Sequence, residues 1–239
     1  GNIDSPLKNA EDDIDVFNDM ARLDMGKFIY GQNRLENSIN YVSPKFLDVF
    51  GVNLTLQPGE KNADDQKSLC LVPATPKKAA YNPCENHIAD AISTALSYED
   101  DNLYLSFAMD KEVMNMDAMR FNARYKMGDA TISAMYQMAE PSNLGAGQTD
   151  EETAMVFSGS YKMDAVTVRG EVLVANHDMG GGTEDDTTLI GVGVDYNFTQ
   201  ATKAFANLAS SNMESTPAAG AKSTDSDATY IGFGMETRF

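Results

Sequence analysis

The chain of 239 residues has a formal net charge of −18, from 36 acidic and 18 basic residues. Such a charge repels nucleic acid and anionic membrane surfaces, so nucleic acid is excluded as an expected partner. Intrinsic disorder is disfavoured too, because 10 tyrosines and 11 phenylalanines supply the aromatic residues that acidic disordered chains lack.

No membrane-spanning helix is predicted. The longest run without a charged residue, 49–59, is shorter than the ~18 apolar residues that such a helix needs. No basic segment followed by an apolar run opens the chain. A signal peptide has therefore either been removed, or the chain is incomplete at its N-terminus.

Residues 1–32 are predicted to form one long loop that is rich in carboxylates. On an outer surface these would be solvated charges without further function. In a narrow passage the same carboxylates would set a negative field that selects ions. The candidates for this second role are Glu11, Asp12, Asp13, Asp15 and Asp19.

From residue 33 onward, apolar and polar residues alternate with a period of two, as in "MRFNARYKM" (119–127) and "VTVRGEVLV" (166–174). This period is typical of β-strands with one apolar face, and no helical pattern of useful length separates the segments. An all-β, antiparallel fold is predicted. Its eleven strands are 33–42, 48–57, 88–98, 102–109, 115–126, 129–139, 152–162, 165–176, 187–198, 201–211 and 227–239.

The predicted connections alternate in length along the chain. Those near 127–129, 163–164 and 199–200 are tight, whereas those at 177–186 and 212–226 are long and polar. This alternation favours a transmembrane β-barrel, which keeps short turns at one rim and long loops at the other. The polar face then lines the lumen and carries Arg34, Arg120, Arg124, Arg169 and Arg238.

The number of predicted strands is odd, whereas single-chain bacterial barrels have an even number. Either one strand is miscounted, or strands that precede residue 1 are absent. The second interpretation is preferred, because 1–32 shows no strand pattern.

Two cysteines, Cys70 and Cys84, lie in one long loop that contains proline and lysine. They predict a disulfide that closes this loop, and hence an oxidising compartment. Two unrelated free thiols are the alternative. A metal site would need more ligands than these two and His87, so none is predicted.

No enzyme motif is present. The histidines, His87 and His177, lie in predicted loops, and neither an HExxH nor a GxSxG sequence occurs. No cofactor is expected. The glycines of "GVGVDY" (191–196) are interpreted as small lumen-facing residues, since no third glycine and no helix follow. The acidic stretches 180–186 and 225–227 could hold Ca²⁺, but a solvated loop is the preferred interpretation.

Four segments resemble the trimeric general porins of Gram-negative outer membranes: "GNIDSPLKNAEDDIDVFND", "RLENSINYVSPKF", "VDYNFTQATKAFANLAS" and "GFGMETRF". The resemblance covers essentially the whole chain. It implies a barrel of sixteen strands, with residues 1–32 as the constriction loop and 33–239 as strands six to sixteen of a single domain. The first five strands are then missing from this sequence. Phe239 is similar to the terminal residue that the barrel assembly machinery reads in this family.

The predicted function is passive diffusion of ions and small hydrophilic solutes through a water-filled channel, with a preference for cations that follows from the net charge. The resemblance further implies an outer-membrane homotrimer in contact with lipid and lipopolysaccharide. A substrate-selective channel, a non-pore surface barrel such as an adhesin, and a secreted all-β binding protein are the alternatives.

Overall fold

A computed structural model describes residues 2–12, 14–18, 20, 23–58, 89–142, 144, 150–218 and 223–238. The predicted disulfide of Cys70 and Cys84, the terminal Phe239, and two predicted constriction residues, Asp13 and Asp19, lie outside these ranges. No helix in the part of the chain that the structure describes is long and apolar enough to span a membrane.

Eleven strands form one antiparallel sheet in which every strand pairs with its neighbour in the sequence. The predicted all-β antiparallel fold is therefore confirmed. The strands are β3 (Ile39–Val42), β4 (Phe50–Gln57), β5 (Ala91–Glu99), β6 (Leu103–Val113), β7 (Met116–Met127), β8 (Ala130–Pro141), β9 (Glu151–Met163), β10 (Val166–Gly180), β11 (Thr183–Asn197), β12 (Thr202–Thr216) and β13 (Thr224–Thr237). The edges of the sheet are β3 and β13.

Residues 2–35, called the N-terminal segment below, contain four short elements. These are β1 (Ile3–Asp4), α1 (Pro6–Asn9), a 3-10 helix (Met25–Lys27) and β2 (Arg34–Leu35). The one turn of α1 begins where the Ser5 hydroxyl accepts a hydrogen bond from the Lys8 backbone N–H at 3.1 Å, with Pro6 in the first turn. Pairing of β1 with β2 closes the base of the segment.

The prediction of one continuous strand over residues 33–42 is wrong. Residues 34–35 pair with β1, and only residues 39–42 join the large sheet. Asn37 lies between them with φ at 49°, a left-handed conformation that interrupts an extended strand. Leu35 and Ile39 therefore do not share a face: Leu35 is 1% exposed and Ile39 is 54% exposed.

The predicted long loop at 177–186 is wrong as well. Strand β10 continues to Gly180 and β11 begins at Thr183, with His177 paired opposite Asp185. Three consecutive glycines with positive φ, at 180–182, form the tight turn between them. Apart from Met179, the side chains here are polar or glycine on both faces, so the apolar alternation ends although the hydrogen bonds between the two strands continue. Strand β12 likewise extends to Thr216.

The two faces of the sheet differ in what covers them. Large apolar side chains such as Phe121, Phe157 and Ile190 point to the outer face and are half exposed. On the inner face the N-terminal segment packs against the strands and forms an apolar core with them. This core contains Ile14, Phe17, Leu23, Met25 and Ile29 from the segment, and Met135, Val156, Leu173 and Leu189 from the sheet. Each large side chain buried in this way stabilises the contact by roughly 1.5–3 kcal/mol.

Candidate functional site: the segment on the inner face

One segment contacts eight consecutive strands from the same side. It begins at β5, where the Ser93 hydroxyl accepts a hydrogen bond from the Leu7 N–H at 3.2 Å. It ends at β12, where the Asn207 amide nitrogen lies 3.1 Å from the Met20 sulfur. The inner face of β5 to β12 and the N-terminal segment together make the candidate site.

Arg120 on β7 binds both ends of the segment. Its Nη1 donates to the Leu7 carbonyl oxygen at 3.0 Å and its Nη2 donates to the Tyr30 carbonyl oxygen at 2.9 Å. It also forms an ion pair with Glu11, and its Nε donates to Gln137 at 2.7 Å. The side chain is fully buried. Because each of its three nitrogens has an acceptor in a fixed direction, Arg120 sets the position of the segment. We call Arg120, Glu11 and Gln137, together with the carbonyl groups of Leu7 and Tyr30, the arginine anchor.

Glu152 on β9 extends the arginine anchor. Its two carboxylate oxygens each accept from the Tyr30 N–H at 3.0 Å, and its Oε1 also accepts from Gln137 at 2.8 Å. Gln137 in turn donates to the Tyr30 carbonyl oxygen at 2.9 Å. The backbone of Tyr30 is therefore bound through both its N–H and its C=O group.

Phe17 makes the second contact, on β11. An added Cβ at Gly191 would lie 2.9 Å from the Phe17 ring, and one at Gly193 would lie 2.8 Å from it. Only glycine leaves room for the ring at these two positions. The Arg169 guanidinium covers the ring at 5.0 Å from its centroid and donates to the Val16 carbonyl oxygen at 2.8 Å. We call Phe17, Gly191, Gly193 and Arg169 the phenylalanine seat.

Asp15 shapes the turn that carries Phe17. Its carboxylate accepts from the Phe17 N–H at 2.7 Å and from the Met25 N–H at 3.1 Å, and its side chain is buried. Burial raises the pKa of Asp15 to about 7, although the two N–H donors oppose the shift, and the charges of Asp24 and Glu11 add to it. Burial also raises the pKa of Glu11, against the opposing charge of Arg120.

The acidic residues predicted for a constriction thus have different surroundings. Glu11 and Asp15 are buried between segment and sheet, whereas Asp12 is exposed. Glu11 pairs with Arg120 and so holds the segment on the sheet, whereas Asp15 binds two backbone N–H groups of the segment and fixes its turn. Their role in ion selection stays a prediction.

The predicted lumen arginines separate into two groups. Arg120, Arg124 and Arg169 lie on the inner face; Arg124 pairs with Glu99 at 3.3 Å and Arg169 with Asp195 at 2.7 Å. Arg34 lies outside the large sheet, in β2, where it pairs with Asp4. Arg238 follows β13 and is 80% exposed beside Glu236.

Sequence reasoning missed both contacts of the segment. The alternation of side chains along the strand placed Arg120 on the inner face, and Gly191 and Gly193 were interpreted as small lumen-facing residues. The residues that meet them, Leu7, Tyr30 and Phe17, are far away in the sequence and carry no signal of their partners. Among the described residues, no group of three or more His, Cys, Asp or Glu side chains could hold a metal ion.

Comparisons with known proteins give the family. A profile of Gram-negative porins matches residues 1–216. No curated protein sequence matches the chain. Among solved structures, the chain is similar to an anion-selective porin from Comamonas acidovorans, with 16% identity and a TM-score of 0.60 over 86% of this chain and 60% of that porin.

Two further solved structures show the same fold. OmpT of Vibrio cholerae is 14% identical with a TM-score of 0.59, over 88% of this chain and 70% of OmpT. OmpF of Salmonella typhi, solved with daunomycin, is 11% identical with a TM-score of 0.58, over 87% of this chain and 65% of OmpF. The chain thus spans 60% to 70% of the length of these structures. With the family profile covering most of its residues, the chain belongs to the Gram-negative porins, a family of non-enzymatic β-barrel proteins of the outer membrane.

Proposed function

We propose that this chain forms the wall and the constriction of a water-filled channel for passive diffusion of ions and small hydrophilic solutes. The observation that carries the proposal is the N-terminal segment on the inner face, bound through the arginine anchor and the phenylalanine seat. Segment 1–32 is then the constriction loop, and 33–239 supplies barrel strands. A backbone bound at two separate places keeps a narrow passage at a constant width.

We further propose a preference for cations. The inner-face arginines are paired with carboxylates, as shown above, and Lys203 pairs with Asp195 and Glu236 at 3.4 and 3.2 Å. Other carboxylates of the segment and inner face, Asp24, Glu152 and Asp185 among them, have no ion pair with any described basic side chain. The inner face and the segment therefore carry a net negative charge after these ion pairs are counted, and this charge attracts cations.

The proposal includes a homotrimer surrounded by outer-membrane lipid and lipopolysaccharide. It is supported by the outer face of β13, where Ile231, Phe233 and Met235 are 77%, 85% and 69% exposed. Apolar surface of this extent needs lipid or another subunit to cover it. Phe239 as the residue read by the barrel assembly machinery, and a Cys70–Cys84 disulfide, remain parts of the proposal.

The reversal potential of the protein in a planar bilayer under a KCl gradient tests the cation preference. We expect a potential of the sign set by K⁺ permeation. Asp225→Asn with Asp227→Asn is the matched control, because these carboxylates lie on the exposed β12–β13 hairpin, bound to Asn212, away from the segment. The double variant should keep the preference. Anion selectivity of the unaltered protein would contradict the proposal.

A further inference from the structure

A cavity of about 690 Å³ lies between the N-terminal segment and the inner face of β9 to β12. It adjoins the arginine anchor through Glu152, which lines the cavity as well, and none of its described lining residues belongs to the phenylalanine seat. The residues that matter for its chemistry are Lys27, Phe28, His177, Asp185, Thr187 and Met213. Since it adjoins the constriction, a solute in the lumen can reach it if the chain forms a channel.

The strand register builds the floor of the cavity from two rows of side chains. In one row, His177 lies between Glu152 on β9 and Asp185 on β11. In the next row, Ala175 is paired opposite Thr187, which is paired opposite Met213. The polar row and the less polar row are therefore adjacent. Alanine in the second row leaves the space that a larger side chain would fill.

Most polar groups of the first row already have partners. The Glu152 carboxylate accepts hydrogen bonds from Tyr30 and Gln137, and His177 Nε2 lies 2.7 Å from an oxygen of Asp150. Asp185 differs: its Oδ1 is buried and has no hydrogen-bond partner among the described residues. Leaving a buried carboxylate oxygen without a donor is costly, so a ligand that brings an N–H donor would gain the interaction.

The opposite wall carries a positive charge. Lys27, at the end of the 3-10 helix, is exposed and has no ion pair with the residues that the structure describes. Beside it, Phe28 contributes an aromatic ring to the same cavity, and Met213 adds a flexible apolar side chain. A carboxylate acceptor and an ammonium donor therefore border a partly apolar space.

We propose that this cavity binds small zwitterionic solutes that carry an apolar side chain, the chemical class of the apolar α-amino acids. The solute ammonium group would donate to Asp185, its carboxylate would bind Lys27, and its side chain would pack against Phe28 and Met213. This inference rests on the proposed channel function and deepens it, because it names a solute class that the lumen retains before passage.

Isothermal titration calorimetry of the full chain in detergent, with L-phenylalanine as the probe, tests the assignment. Saturable binding is expected. Asp185→Asn and Lys27→Met should each weaken it by about tenfold, since each removes one charge-assisted contact. Asp227→Asn, an acidic position on the outer part of β13, is the matched control and should bind like the unaltered protein. Circular dichroism verifies that each variant retains its strands.

Phenethylamine, which lacks the carboxylate, is the second probe. It should bind more weakly than phenylalanine, and Lys27→Met should not weaken it further. Absence of saturable heat, unchanged binding by Asp185→Asn, or equal affinity for both probes would each overturn the proposal. Because calorimetry needs no conductance, a conducting protein that binds no phenylalanine contradicts only this inference. A binding protein that does not conduct contradicts the channel.

Discussion

The arginine anchor and the phenylalanine seat hold the same segment by different physical means. The anchor uses directional hydrogen bonds and a fully buried ion pair between Arg120 and Glu11. The seat uses an aromatic ring packed on two glycines, Gly191 and Gly193. A buried ion pair adds little net stability relative to apolar packing, but it is very sensitive to loss of one partner. The comparison indicates that the anchor mainly fixes the position of the segment, whereas the apolar packing of the seat mainly contributes to its stability.

The largest effect is expected from the anchor. Arg120→Met should lower the free energy of unfolding by about 3–5 kcal/mol, because Glu11 and the carbonyl oxygens of Leu7 and Tyr30 lose their buried donor. Urea unfolding in detergent measures the change. Arg238→Met is the control, since that side chain is mostly exposed and its loss should have almost no effect. A similar small loss for both variants would show that the anchor is unimportant.

An intermediate effect is expected from the seat. In Gly193→Ala, the new Cβ would lie 2.4 Å from the Asn207 Oδ1 atom and 2.8 Å from the Phe17 ring. The ring must move, at a cost of about 1–3 kcal/mol in the same unfolding assay. Gly232→Ala is the matched control, because no atom of the described residues, its two chain neighbours aside, lies within 4 Å of its added Cβ.

The seat interpretation can be tested further by combining Gly193→Ala with Phe17→Ala. The smaller side chain removes the clash with the ring but leaves the 2.4 Å contact with Asn207 Oδ1, so the cost of the glycine substitution should fall in part in this background. If the two changes are simply additive, the ring is not what Gly193 accommodates.

The smallest effect is expected from pH. The pKa of Asp15 is raised to about 7 from its ordinary value of 3.8, so the folded state holds a proton that the unfolded state has released between these values. This contribution to stability is complete below pH 3.8 and is lost as the pH rises through 7. Between pH 6 and pH 8 the folded protein should lose roughly 1 kcal/mol.

Hydrogen exchange of the Phe17 and Met25 N–H groups, which donate to Asp15, provides a local measurement of the same effect. After correction for the intrinsic exchange rate, their protection should fall as the pH increases. Asp15→Asn should abolish this change. A protection factor that is constant across this range in the unaltered protein would contradict the prediction.

The strands of the wall could be predicted from the sequence because their signal is local. In β7, Arg120 and Phe121 point to opposite faces, and this follows from the period of two alone. The same rule failed at 177–186, since these side chains, apart from Met179, are polar or glycine on both faces and no longer reveal the strand. It also failed at residues 33–42, where Asn37 changes the direction of the backbone.

The site could be predicted only in part. The alternation of side chains predicted that Arg120 and Arg169 lie on the inner face. It did not predict that Leu7 and Tyr30 shield Arg120 from water. These partners lie 113 and 90 residues away from Arg120. A single sequence contains no information about which distant backbone carbonyl a buried arginine will meet.

The separation of these contacts along the chain also determines an order of assembly. Each strand pairs only with its sequence neighbour, so the hairpins from β5 onward can form one after another. The contact between Met20 and Asn207 spans 187 residues and cannot exist before β12 is in place. The N-terminal segment, although early in the sequence, therefore reaches its final position late, when the sheet that receives it is almost complete.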